Sequence, residues 1–253
     1  MGGDKSRLAV WGLRLAVLAL IILALSIAGL RFHLMAFRTP LMGIAVAGLV
    51  GIIAFLVSVF GVISAAVGRK SGIGLALVGI VVATISATPF TTSFFKGRGV
   101  PPIHDITTDL ANPPQFVAVV KLRGPDANPL DRKEPANLAE LQEKAYPDLA
   151  PMKVNAPAGK VFEAAREVVH DMGWTLDVAT PETGLIEATA TTSLLHFKDD
   201  VAIRVEETEN GTQVDMRSVS RVGISDLGAN AARIFKFETA LMQKVAADEV
   251  NGE

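Results

Sequence analysis

The first ninety-odd residues carry their hydrophobic positions in three long blocks, and the rest of the chain carries them in short periodic runs. Leu15 to Leu30 is free of charge and extends back to Leu8 if Arg14 snorkels, which gives roughly twenty apolar positions, the length needed to cross a bilayer. Leu41 to Val67 and Ile73 to Phe95 are each long enough to span. Only Gly68, Arg69, Lys70, Ser71 and Gly72 separate them, so the pattern predicts an antiparallel helical hairpin. A cleaved signal peptide is the alternative for the first block, but no small-x-small site follows it and two further blocks do. Small residues recur at spacings of three and four, at Gly43, Ala47, Gly51, Ala54, Ser58, Gly61 and Ala65, and again at Gly72, Ala76, Gly79, Ala83 and Ser86. Helices in lipid associate through close backbone approach, so these two stripes are expected to face each other. A transport path would show an ionisable residue in mid-span, and its absence favours anchoring.

After Phe95 the pattern changes. Residues 97–135 scatter prolines and glycines and read as an irregular strap, with Phe116 to Leu122 the one plausible short strand. "ANLAELQEKAYPD" reads as a short helix ended by Pro147. "APAGKVFEAAREVVHDMG" repeats Val161, Phe162, Ala165, Val168, Val169 and Met172 at helical spacing and stops at Gly173. From Trp174 the period becomes two: Trp174, Leu176 and Val178 share a face, as do Ile186, Ala188 and Ala190, then Val201, Ile203 and Val205, then Val214 and Met216. The turn "TENG" joins the last two strands. "SDLGANAARIFKFETALMQKV" predicts a helix capped by Ser225 or Asp226, with Leu227, Ala231, Ile234, Leu241 and Val245 on one side. The expected fold is therefore membrane-anchored. Three transmembrane α-helices (spans about 10–30, 41–67 and 73–95, in a region 1–95) are followed by a Pro-rich strap over 96–135. An α+β domain over 136–253 completes the chain, its antiparallel sheet of about four strands flanked by helices.

Composition adds a location. Half of the 253 residues are hydrophobic, more than a soluble chain of this length needs for a core. Residues 1–95 hold seven of the 24 basic residues and only Asp4 of the 26 acidic ones, so the remainder is acidic with 17 basic against 25 acidic. An acidic soluble part argues against nucleic acid or anionic lipid as its main partner, because both need a basic footprint. With no cysteine there is no disulfide, thiolate nucleophile or cysteine-ligated metal. If the N-terminus lies inside, five positive charges (Lys5, Arg7, Arg14, Arg69, Lys70) fall inside and four (Arg31, Arg38, Lys96, Arg98) outside, a one-charge preference for a soluble domain outside the cytoplasm.

Three groups of residues could carry chemistry. If Val205 pairs with Val214, Arg204 lies opposite Asp215 and Ala202 opposite Arg217, on the face away from the core. The favoured reading is an ion pair on a solvated sheet face, and the alternative is a groove of Arg204, Arg217 and Glu187 for an anion. "RSVSRVGISDLGANAAR" gathers Arg221, Asp226, Asn230 and Arg233 where a strand hands over to a helix. That corner suits either bracing or an anion site, without a Gly-rich phosphate loop. His104 with Asp105 and Asp109 could be a base and its orienter, but His33, His170 and His196 are scattered singly. No metal motif or GxSxG elbow is present, and Asp105 and Asp109 also suit Asx turns in a strap. No cofactor or metal is implied.

"PPIHDITTD", "AYPDLAP", "FKDDVAIRV" and "DMRSVSRVGISDLGANAARI", in that order, resemble the bacterial domain-of-unknown-function family numbered 1499, over about residues 98 to 245. The matching motif positions are His104, Asp105, Asp109, Lys198, Asp199, Asp200, Arg204, Asp215, Arg217, Ser220, Arg221, Asp226, Asn230 and Arg233. The resemblance implies an envelope protein, with plant relatives in the thylakoid lumen, and supplies no reaction. The expected function is that of an integral inner-membrane protein whose periplasmic domain binds an envelope protein or an anionic small molecule without catalysis. The alternative is an envelope hydrolase using His104, Asp105 and Asp109.

Overall fold

In the computed structural model, residues 4–32, 34–68 and 70–251 are described, so Arg69 of the expected turn and His33 lie outside the described residues. The chain forms two compact units, Met1–Arg98 with Leu194–His196, and Gly99–Ser193 with Phe197–Glu253.

The first unit holds α1 (Arg7–Arg31), α2 (Arg38–Val67) and α3 (Ile73–Gly97), each long and apolar enough to cross a membrane. The stripes on α2 and α3 do meet: a Cβ at Gly51 would stand 3.1 Å from the Ala83 carbonyl oxygen. The α2 stripe also takes α1, because a Cβ at Gly61 would stand 2.8 Å from the Ala9 backbone. Ala16 of α1 joins Ala54 and Ala83 in one cluster. The small residues of α1 (Ala9, Gly12, Ala16, Ala19) are buried for the same reason, since close approach is what holds helices together without a hydrophobic drive. Hydroxyls of Ser26, Thr84, Ser86, Thr88 and Thr91 donate to carbonyls one turn back, which satisfies them within their own helices.

The second unit contains α4 (Leu138–Ala145), α5 (Ala158–Asp171) and α6 (Ala229–Asn251). Its strands are β1 (Asp105–Thr107), β2 (Met152–Val154), β3 (Thr175–Thr180), β4 (Leu185–Thr191), β5 (Lys198–Thr208) and β6 (Gly211–Ser220). All pairings are antiparallel, in the order β1-β6-β5-β4-β3, and β2 pairs with β6 beyond the residues that β1 occupies. The four expected strands are β3 to β6, and Val205 does pair with Val214 across the hairpin. The helix face is the core: Ile186, Ile203, Met216, Phe162, Ile234, Phe237 and Leu241 are buried together, with Trp174 stacked on Phe237 at 6.1 Å. Each such side chain contributes about 1.5–3 kcal/mol of burial. Gly173 (φ +70°) ends the chain's run through α5, as its spacing predicts.

Four local expectations are corrected. Phe116 to Leu122 is not a strand; it ends in a 3-10 turn at Val119–Leu122. Its apolar composition suits a strand, but both edges of the nearest strand, β4, are already taken by β3 and β5. In β3 the register shifts between Leu176 and Val178, so a bulge at Asp177 turns Val178 to the opposite face from Leu176 and brings Ala179 to the core side. α6 begins at Ala229, three residues after Asp226, whose carboxylate caps from outside by accepting from the Gly228 and Asn230 amides at 2.8 Å each. Finally, the second sheet face is not solvated. The strap covers it and leaves Glu187 and Asp215 at 0% and Arg217 at 1% exposure.

Candidate functional site

Alternation along the strands divides the candidate residues between two faces. Directly paired residues point the same way. Asp105 with Val219, Thr107 with Arg217, Arg204 with Asp215 and Glu187 with Ala202 therefore share the strap face, while Ile106 and Val201, both paired with Ser218, mark the helix face. Asp199 and Asp200 are consecutive in β5 and send one carboxylate to each side.

On the strap face Arg217 holds Asp105 with two bonds, Nε to Oδ1 at 3.1 Å and Nη2 to Oδ2 at 2.7 Å, and donates to the Leu130 carbonyl at 2.6 Å. Its guanidinium carbon also lies 5.0 Å over the Phe116 ring. Arg132 bonds the same Asp105 carboxylate. Gln142 of α4 pairs with both the amide (3.1 Å) and the carbonyl (2.6 Å) of Thr107, so an amide side chain continues the sheet edge beyond β1. Arg204 bridges Asp109 at 2.9 Å and Asp215 at 2.8 Å, and Asp109 also accepts from the Ala111 and Asn112 amides in an Asx turn. Asp200, fully buried, receives Arg221 at 2.6 Å and Arg123 from the strap. Glu187 accepts from the amides of Val117 (2.6 Å), Ala118 (3.0 Å) and Val119 (2.8 Å), so a carboxylate of β4 nucleates the 3-10 turn.

Five guanidiniums (Arg123, Arg132, Arg204, Arg217 and Arg221) thus meet four carboxylates of the layer, Asp105, Asp109, Asp200 and Asp215, with Glu206 also 3.5 Å from Arg204, while Glu187 is held by backbone amides. Burial lowers the pKa of Arg123 and Arg132, against the pull of Asp200 and Asp105 respectively. For Arg204 burial acts downward too, but the bonds and charge of Asp215 outweigh it and leave it raised. A surface opening of about 340 Å³ lies beside this layer, lined by Leu110, Pro113, Gln115, Leu130, Arg132 and Arg217 among others.

On the helix face Arg233 bonds Asp199 and donates to Ser218 Oγ at 2.9 Å. Asn230 accepts from Ser218 at 2.8 Å and donates to Ser220 Oγ at 3.0 Å and to the His104 carbonyl at 2.9 Å. Burial raises the Asp226 pKa, opposed by the two amides it caps and by Arg233. His104 joins this cluster through its backbone, and alternation turns its side chain away from Asp105. Arg221 and Arg233 are likewise on opposite faces. His104, Asp226, Asn230 and Arg233 therefore form one group, and Asp105, Asp109, Arg204, Arg217 and Arg221 another. His104 has no geometric link through which Asp105 could orient it.

Arg123, Asn128, Arg132 and Gln142 complete the network and were not legible as candidates. Asn128 donates to the carbonyls of Ser220 (2.9 Å) and Gly223 (2.8 Å) and fastens the strap to the far end of β6. The split of Asp199 and Asp200 was a usable signal, since neighbours in a strand must face opposite ways.

Elsewhere on α6, burial raises the Glu238 pKa to about 7 from an ordinary 4.5. The folded state therefore holds this proton more tightly than the unfolded chain. The group's contribution to stability is full below pH 4.5 and is lost as pH rises through about 7. Discounted for partial exposure, Glu238→Gln should stabilise the domain by about 1–2 kcal/mol at pH 8 and leave it unchanged at pH 4, read from denaturant midpoints at the two pH values.

Three apolar helices long enough to span a membrane precede an α+β domain whose sheet carries a strap clamped over it by buried ion pairs. Residues 105–241 match the family described as Protein of unknown function (DUF1499), and the chain belongs to that family. None of the curated proteins matches it.

Proposed function

We propose that the protein is a membrane-anchored, non-catalytic docking module whose α+β domain lies on the extracytoplasmic side of a bacterial inner membrane and binds an envelope protein through the outer surface of the strap. The observation that carries this reading is the complete pairing of the strap-face guanidiniums with carboxylates. Each of these guanidiniums already has a carboxylate partner and so is not a free cation for an anionic small molecule, and the bonds hold the strap in one conformation. Binding is favoured by such preorganisation, because the ordering entropy is lost before the partner arrives. What the clamp presents is apolar: Val117, Val120 and Leu122 are 65%, 49% and 54% exposed on a turn whose amides Glu187 fixes from beneath. Exposed apolar clusters on rigid loops are interaction surfaces. The extracytoplasmic side is supported by the one-charge preference of the span ends and by the envelope character that the family resemblance implies.

The chain has no cysteine, so Val120→Cys provides a unique probe. In spheroplasts, a membrane-impermeant maleimide is expected to label it. A maleimide photo-cross-linker on the same residue is expected to give one discrete protein adduct that an equivalent label at Lys160→Cys does not. Labelling only after the membrane is permeabilised would reject the side, and a cross-linking pattern equal to that of Lys160→Cys would reject the surface.

A further inference from the structure

Among the described residues, the loop from β6 to α6 carries the most exposed large hydrophobic residue of the second unit, Ile224, at 81%. An isolated exposed isoleucine is ordinary, but this one is held in place. Gly223, at φ +94°, turns the chain outward beneath it. The Gly223 carbonyl accepts from Asn128 at 2.8 Å, and the Asp226 amide donates to the Ile103 carbonyl at 3.1 Å. Ser225 Oγ donates to the Pro101 carbonyl at 3.5 Å, and a Cβ at Gly228 would stand 3.3 Å from Val100. The loop is thus fastened before Ile224 to Asn128 and after it to the segment Val100–Ile103.

That segment directly follows the third apolar helix. α3 ends at Gly97 with Phe94 and Phe95 exposed, next to Lys96 and Arg98, the aromatic and basic residues that mark a membrane–water interface. Three residues separate Gly97 from Pro101, and an extended chain covers at most about 14 Å over those four steps. The loop that carries Ile224 is therefore tethered within reach of the headgroups at the end of α3. Lys198, exposed at the start of β5, is tied to the same loop by its carbonyl, which accepts from the Arg221 amide at 3.0 Å. An exposed apolar tip on a fixed loop suits the interfacial layer, where the side chain enters the acyl boundary.

We infer that the β6–α6 loop is a second membrane contact, in which Ile224 inserts into the interfacial layer of the bilayer that α1 to α3 span and so limits the swing of the domain on its tether. This inference rests on the anchoring by α1 to α3 and not on the strap's partner. The test uses the full chain in vesicles of phosphatidylethanolamine and phosphatidylglycerol, with single nitroxide labels on Ile224→Cys, Glu207→Cys at the opposite end of β5, and Ile53→Cys in mid-α2. Collision with oxygen is compared with collision with a water-soluble nickel chelate. The ratio of oxygen to nickel accessibility at Ile224→Cys is expected to exceed that at Glu207→Cys by about threefold or more, as for a residue 5–10 Å into the interface. A ratio equal to that of Glu207→Cys, or shielding from both reagents, would overturn the insertion while Ile53→Cys remained oxygen-accessible. A nickel-accessible Ile53→Cys would overturn the anchor itself, and with it the insertion.

Discussion

Arg217→Ala is expected to lower the unfolding free energy of the α+β domain by about 3–5 kcal/mol, the range for removing one partner of a buried ion pair. Arg217 and Asp105 are 1% and 2% exposed, so deletion of the guanidinium leaves a carboxylate away from water with only Arg132 to answer it. It also strands the Leu130 and Pro114 carbonyls and removes the cation from the Phe116 ring. The loss is larger than any side-chain transfer term, because it lies in the groups left behind. Denaturant titration of the full chain in micelles, followed by Trp174 fluorescence with Trp11→Phe as background, measures it. A midpoint shift worth less than about 1 kcal/mol would mean that water reaches Asp105. Pairing Arg217→Met with Asp105→Leu should recover the larger share of the loss, since apolar replacement of both partners removes the uncompensated charge and Arg132 lines an open surface pocket.

The division between what was legible and what was not follows the range of the forces involved. Helices and long strands were legible because their periodicity records burial on one side: Val161 to Met172 at helical spacing, and Val201, Ile203 and Val205 at alternate positions. The cross-strand partners Arg204 and Asp215 then follow from counting outward from "TENG". β1 and β2 were not legible. "DIT" and "MKV" have too few residues to show a period, and they are strands because the edge of β6 offers unpaired amides and carbonyls to whatever segment the tertiary fold lays there. The bulge at Asp177 is local in its effect and tertiary in its cause, since the displaced carboxylate accepts from Thr189 at 2.7 Å.

The candidate site shows the same division in sharper form. Twelve of the fourteen motif positions are polar or charged side chains that the fold places in the two networks, and His104 and Lys198 join through their backbone carbonyls, so the residues themselves were legible. Their environment was not. An exposed strand face with Arg204 and Arg217 on it reads as solvated, and only the path of a strap made of prolines and glycines converts it into a buried layer. The partners that the strap contributes, Arg123, Asn128 and Arg132, come from a stretch with no periodicity. A segment can be irregular in sequence and still be fixed in conformation when side chains of a regular element satisfy its backbone groups.

Glu187 tests that last point by itself. Its carboxylate is fully buried and accepts from three successive amides, those of Val117, Ala118 and Val119, which no strand or helix partner satisfies. Glu187→Ala should therefore release the turn while the sheet persists. Each orphaned amide costs about 1–3 kcal/mol when buried, and rehydration of an opened turn caps the loss at about 3 kcal/mol. Hydrogen exchange at the Val119 amide is expected to accelerate by about a hundredfold, with little change at Ile203 in the central strand. Trypsin should cut after Lys121 and Arg123, which the intact turn protects. Glu187→Gln keeps one acceptor but points an amide donor at the remaining N–H groups, so it should recover less than half of the effect. Equal protection at Val119 in wild type and Glu187→Ala would mean that the strap holds its shape without the carboxylate, and the docking surface would then not depend on β4 for its rigidity.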